Sequence, residues 1–141
     1  MPAKGTAEWQ GDLKSGTGTF VAGDDLAGEY SYRSRFEDGP GANPEQLIGA
    51  AHASCFSMYL SLLLANAGTP PESVKTDALV TIRSVDGAPT ITTIALTTVG
   101  RVPGVDEATF KETAEAAKKA CPVSKALASV PEVTLDASLA S

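Results

Sequence analysis

From Leu47 to Ala65 the chain carries no Asp, Glu, Lys or Arg, and this stretch limits what the rest can fold into. It lies inside Asn43–Asn66, which the local signals predict to be one long helix. Asn43 is a favoured N-cap, Pro44 fits the first helical position, and Glu45 places a negative charge at the positive helix end. Gly68 and Pro70-Pro71 then stop it. At 1.5 Å per residue such a helix is about 35 Å long. A helix apolar on every side belongs in a large core or in a bilayer. The bilayer is the poorer choice, because Gly49-Ala-Ala-His-Ala-Ser54 is only weakly hydrophobic and no basic cluster flanks the stretch.

The small residues Gly49, Ala50, Ala53, Ser54 and Ser57 let another backbone approach, and Leu60, Leu62, Leu63 and Leu64 add bulk further on. A domain of 141 residues buries only about two thirds of its surface and can hardly wrap such a rod unaided. A partner subunit is expected, most simply in a two-fold homodimer.

Length and composition fit one domain over residues 1–141. A net charge of −6 without a Lys/Arg cluster argues against nucleic acid and anionic membrane surfaces as partners. Met1-Pro-Ala-Lys-Gly-Thr6 lacks the apolar run of a secretory signal, so a cytoplasmic location is expected. Two cysteines, Cys55 and Cys121, are too few for a disulfide framework or a zinc site. They are either inert core residues or a redox or catalytic pair.

In chain order, Thr6–Leu13 and Thr19–Val21 read as strands separated by a Gly-rich turn, and Glu29–Phe36 reads as a third. In that third segment Tyr30, Tyr32 and Phe36 alternate against Ser31, Arg33 and Arg35. After the long helix, Val74–Val85 alternates as a half-buried strand, with Asp86-Gly87 as a hairpin turn and Thr90–Val99 as the returning partner. Asp106–Ala120 is an amphipathic helix with Phe110, Ala114 and Ala117 on one face and Lys111–Glu115 and Glu115–Lys119 pairs outside. Pro122 pushes Cys121 out of the helical region, so Cys121 sits at a break before a short helix over Pro122–Ala128. Glu132–Leu139 is the last strand. The order β-β-β-α-β-β-α-α-β predicts an α+β fold, the long helix lying across largely antiparallel sheet.

A thiol in mid-helix gains nothing from a helix N-terminus, and burial would push its pKa up. Reactivity at Cys55 therefore requires a cation. His52 lies one turn earlier, and Arg33 and Arg35 precede the helix. Each also has a plain structural use: His52 satisfied in the core, the arginines on a solvated strand face, Glu45 as a helix-dipole carboxylate. A role for Glu45 at the thiol is awkward within one chain, since ten helical residues span about 15 Å. A second chain, or an arginine bridging the gap, would resolve it.

Ser34-Arg-Phe-Glu-Asp-Gly-Pro-Gly-Ala-Asn-Pro-Glu-Gln-Leu-Ile-Gly-Ala-Ala-His-Ala-Ser-Cys-Phe-Ser-Met58, followed by Ala120-Cys-Pro-Val-Ser-Lys125, resembles the OsmC/Ohr family of hydroperoxide-reducing proteins. The wording around Cys55 is closer to the OsmC branch, that of osmotically inducible peroxiredoxins. The resemblance implies an intertwined homodimer with active sites at the subunit interface. It also implies roles: Cys55 as the peroxidatic cysteine, Cys121 as the resolving one, Arg35 as the activator of the thiolate and Glu45 as its orienting carboxylate. By the same resemblance no cofactor is needed, and an external thiol or dithiol, such as a lipoyl group, is the reductant. Phe36, His52, Phe56, Met58 and Tyr59 are available to form an apolar substrate mouth, and each serves equally well as core.

The expected activity is thus a thiol-dependent peroxidase reducing organic hydroperoxides, and hydrogen peroxide less well, in oxidative or osmotic stress defence. Two other classes compete. A cysteine hydrolase built on Cys55 and His52 would need an oxyanion hole, which mid-helix amides, already hydrogen-bonded, cannot supply. A non-enzymatic dimeric stress or ligand-binding protein would use both cysteines only for packing.

Overall fold

The local signals resolve into two three-stranded sheets and four helices. A computed structural model describes residues 1–141 in the order β1 (Gly5–Gln10), β2 (Thr17–Ala22), β3 (Leu26–Tyr30), α1 (Tyr32–Phe36), α2 (Pro44–Asn66), β4 (Ser73–Val85), β5 (Ala88–Arg101), α3 (Glu107–Ala120), α4 (Pro122–Ala126) and β6 (Glu132–Leu139). Two compact units divide it, Met1–Leu47 and Ile48–Ser141, with the boundary in the first turns of α2.

In the first unit β1, β2 and β3 form an antiparallel meander. Trp9 and Tyr30 close over Gly18, their ring centroids 5.5 Å apart, and a Cβ on Gly18 would come within 2.5 Å of the Tyr30 ring. The predicted third strand, Glu29–Phe36, is only half correct, because the chain turns into the one-turn helix α1 at Tyr32. Ser31 caps it: its Oγ accepts from Ser34 N–H at 3.1 Å, and Ser34 Oγ accepts from Ser31 N–H at 2.8 Å. Two serines three residues apart supply this reciprocal cap. Tyr32 and Phe36 are spaced to share a face in either a strand or a helix, so alternation alone could not decide between them. Their rings pack 5.1 Å apart.

The second unit is a mixed sheet with helices on it. β4 and β5 pair antiparallel through Asp86-Gly87, whose φ angles of 51° and 80° are those of the two-residue hairpin turn expected there. β6 is the one parallel strand in the largely antiparallel arrangement expected: it lies parallel to β5, with α3 and α4 in between. A helical crossover is what parallel pairing requires. The interior faces interlock, with Phe56, Leu60 and Leu64 of α2, Ile94 and Leu96 of β5, and Phe110, Ala114 and Ala117 of α3 in one buried cluster. Each large apolar side chain there contributes about 1.5–3 kcal/mol. At Gly49, α2 comes so near β4 that a Cβ would meet the Ala78 carbonyl oxygen at 3.0 Å. Asp106 caps α3 through Thr109 N–H at 2.7 Å. The outer pairs on α3 are Glu107–Lys111 and Glu115–Lys118, replacing the pairs expected from spacing.

Helix α2 is long and apolar enough to cross a membrane by length and composition. One stripe, Gly49, His52, Phe56, Leu60 and Leu64, is buried. Met58 and Leu62 on another face remain 79% and 50% exposed, so one chain does not cover its own long helix.

Candidate active site

Cys55 reaches the site from the middle of α2 and Cys121 from the break between α3 and α4. Proline sets that break. Cys121 N–H closes α3 on the Ala117 carbonyl at 3.0 Å, its own backbone is extended (φ −55°, ψ 128°), and its carbonyl accepts from Lys125 N–H at 3.0 Å to start α4. Cys121 is fully buried and Cys55 half-buried. Both are reduced, and the two sulfurs lie 2.7 Å apart. This contact spans 66 residues of chain.

Two thiols this close titrate as a pair. For Cys55, burial pushes the pKa up, with the contact to Cys121 adding to it, while the Val123 N–H works the other way. For Cys121 burial also opposes ionisation but is overcome by the hydrogen bond with Cys55 and by the Ser124 and Val123 groups, so its pKa falls. The first proton is thus lost more easily from Cys121 than from Cys55, and the charge that results falls beside the first amides of α4.

His52, one turn before Cys55, is fully buried. Its Nε2 lies 2.7 Å from Ser124 Oγ, and its Nδ1 has no partner. Burial lowers its pKa, so the ring is neutral at physiological pH.

In the first unit, α1 presents Arg35 and the first turn of α2 presents Glu45. Arg35 Nε donates to Glu45 Oε1 and Oε2 at 3.1 and 3.2 Å, and Nη2 donates to Oε1 at 2.8 Å. Glu45 is buried and the Arg35 side chain is 36% exposed, which leaves part of the guanidinium fork open. Ser34 and Asn43 hold the two elements together: Ser34 Oγ donates to the Ala42 carbonyl at 2.7 Å and Asn43 Nδ2 to the Ser34 carbonyl at 3.0 Å, while Asn43 Oδ1 caps α2 on Gln46 N–H. Arg33 pairs instead with Glu37 on the surface. Beside Arg35 is a cavity of about 420 Å³, lined among others by Trp9, Leu13, Tyr30, Tyr32 and Phe36.

Of the residues considered for an apolar mouth, only Phe36 lines this cavity. Phe56 is at the centre of the core, Tyr59 packs on it, and Met58 is largely exposed. The folding period of α2 explains this: Phe56 falls on its buried stripe and Met58 does not. Trp9, Tyr32 and Ser124 were not singled out from sequence. Ser124 carried one local signal, its place in the first turn after Pro122.

The family model described as OsmC-like protein matches residues 37–136. Peroxiredoxin OsmC of Escherichia coli (strain K12) is 47% identical over 140 residues, covering 98% of this chain and 96% of that protein, and the Shigella flexneri protein of the same name matches equally. Among solved structures, an organic hydroperoxide resistance protein from Elizabethkingia anophelis superposes with a TM-score of 0.77 at 25% identity, with 99% of each chain covered. The organic hydroperoxide resistance protein OhrB of Bacillus subtilis gives 0.75 at 24%, covering 99% of this chain and 98% of that one. With a match over most of its length and nearly half its residues identical to a peroxiredoxin, the chain belongs to the OsmC family.

Proposed function

We propose that this protein is a cysteine-based hydroperoxide reductase that works through a Cys55 sulfenic acid and a Cys55–Cys121 disulfide. The observation that carries this is the 2.7 Å approach of two reduced sulfurs held by different elements. The Cys55 thiolate attacks the distal oxygen of the hydroperoxide, the O–O bond breaks, and an alcohol or water departs. Cys121 then displaces the sulfenic oxygen as water, closing the disulfide. An external thiol, such as a dithiol of the lipoyl type, returns the pair to the reduced state.

Burial opposes ionisation of both thiols, but the hydrogen bonds from Cys55, Ser124 and Val123 leave the anion more easily on Cys121 than on Cys55. A cation near Cys55 reverses that order, because the remaining proton moves to the sulfur farther from the charge. Arg35 is assigned this role, with Glu45 as its orienting carboxylate. Its fork of donors cannot be neutralised at physiological pH, so it also steadies the charge developing on the leaving oxygen. The exposed apolar face of α2 supports a two-fold homodimer with the active sites at the interface, in which the partner's Arg35 serves Cys55. The aromatic cavity beside Arg35 favours organic hydroperoxides over hydrogen peroxide. The setting is hydroperoxide stress defence, which the names of the relatives support, and the location is the cytoplasm.

The test is intact-mass analysis of the reduced protein after one equivalent of cumene hydroperoxide or of hydrogen peroxide. Loss of two hydrogens, faster with the organic oxidant, is expected; an unchanged mass with both would leave the cysteines as packing residues. Arg35→Ala should slow Cys55 oxidation by about tenfold or more, as expected if the thiolate fraction falls with a pKa rise of about one unit. Size-exclusion chromatography should find its dimer intact. An unchanged oxidation rate would take Arg35 out of the chemistry.

A further inference from the structure

The polar contacts of the thiol pair continue past Cys121. Ser124 lies three residues on, in the first turn of α4, and its hydroxyl and backbone N–H are among the groups that lower the Cys121 pKa against its burial. Behind it is His52, fully buried, with Nε2 2.7 Å from Ser124 Oγ and Nδ1 without a partner. Packing does not account for the pair. A buried histidine with an unpaired nitrogen is costly, and an apolar side chain at that position of α2 would fill space without that penalty.

Serine has one hydroxyl hydrogen, which fixes the direction of the bonds. If it is directed at sulfur, Oγ accepts from His52, so Nε2 carries the ring hydrogen. Nδ1 is then a bare lone pair, and a buried acceptor is the more tolerable atom to leave unpaired. Burial lowers the His52 pKa, so the ring carries a single hydrogen, as this arrangement requires.

We infer that His52 and Ser124 are positioning residues of the resolving step, a donor chain from His52 Nε2–H to Ser124 Oγ–H to the Cys121 sulfur that holds it as the anion aimed at Cys55. This rests on the two-cysteine peroxidase reading above. In the reduced pair the two sulfurs are hydrogen-bonded to each other. Once Cys55 is a sulfenic acid that arrangement is lost, and the Ser124 hydroxyl with the α4 amides carries the charge on Cys121. In the step itself Cys121 supplies the electron pair of the new S–S bond and the Cys55 S–O bond breaks. The oxygen leaves as hydroxide and becomes water with a proton equivalent to the one Cys121 released. Sulfenic sulfur is reduced and Cys121 is oxidised, and His52 is neutral before and after.

The experiment mixes reduced protein with one equivalent of cumene hydroperoxide, quenches at intervals with dimedone and an alkylating agent, and reads intact masses. The wild type should pass quickly to the disulfide. Ser124→Ala and His52→Leu should form the sulfenic acid but close the disulfide about tenfold more slowly, as expected for a thiolate destabilised by about one pKa unit, so the dimedone adduct accumulates. Ser124→Thr, which keeps the hydroxyl, and His52→Gln, whose amide nitrogen replaces Nε2, should recover to within about threefold. Resolution at the wild-type rate in Ser124→Ala overturns the inference, as does a His52→Gln variant as slow as His52→Leu. If His52→Leu fails to fold, Ser124→Ala against Ser124→Thr decides it. A wild type that never forms the disulfide would overturn the two-cysteine reading itself, and that is seen before any variant is compared.

Discussion

Cys55→Ser is expected to lose hydroperoxide reduction by about a thousandfold or more, because the step needs a sulfur nucleophile and an alcohol is not ionised in its place. Cys55 is only half-buried, so the same substitution should cost about 1 kcal/mol or less of stability. The two readouts separate the readings. A non-enzymatic binding protein would register only the stability change, whereas a peroxidase loses its reaction while its fold persists. Thermal unfolding and peroxide consumption measured on one sample of Cys55→Ser give both numbers. Cys121 in that variant should stay a thiol after one equivalent of oxidant. Although its pKa is the lower of the two, it is fully buried and no peroxide can approach it in line. Rapid oxidation of Cys121 in the absence of Cys55 would exchange the two roles.

What could be read in the chain divides by range. The cap at Asn43, the long helix, the Asp86-Gly87 turn and the alternation of β4 depend on neighbours within a few residues, and each formed where local signals placed it. The segment Glu29–Phe36 failed because Tyr32 and Phe36 suit two periods at once, and the deciding contact was a pair of serine hydroxyls rather than the apolar pattern. The parallel placement of β6 depends on where α3 and α4 deliver the chain, which no local signal states. The same holds at the site. That Cys121 would sit at a break followed from Pro122, but its contact with Cys55 needed the fold. The pairing of Arg35 with Glu45 was expected from family resemblance and not from spacing. His52 was legible as a helix histidine, yet its partner Ser124 lies 72 residues away, so the donor chain behind Cys121 could not be read in advance.

Cys121→Ser is expected to separate the two halves of the reaction. It should consume one equivalent of hydroperoxide and then stop, with multiple turnover falling by about a hundredfold or more, because a serine hydroxyl cannot displace the sulfenic oxygen. Its first step should be no slower than that of the wild type. Burial is the main reason the Cys55 pKa is raised, but the contact with Cys121 is the next, and the substitution removes that part. The sign follows: a lower Cys55 pKa means more thiolate at neutral pH, so the gain over wild type is greatest below the wild-type pKa and vanishes above it. Rapid-mix oxidation of Cys121→Ser across pH, beside the wild type, measures this. Cys55 should then accumulate as sulfenic acid, trapped by dimedone, and with excess oxidant pass to sulfinic acid. Sustained turnover in Cys121→Ser would mean that the external thiol attacks the Cys55 sulfenic acid directly. The 2.7 Å approach of Cys121 would then serve to tune the Cys55 thiol and not to resolve it.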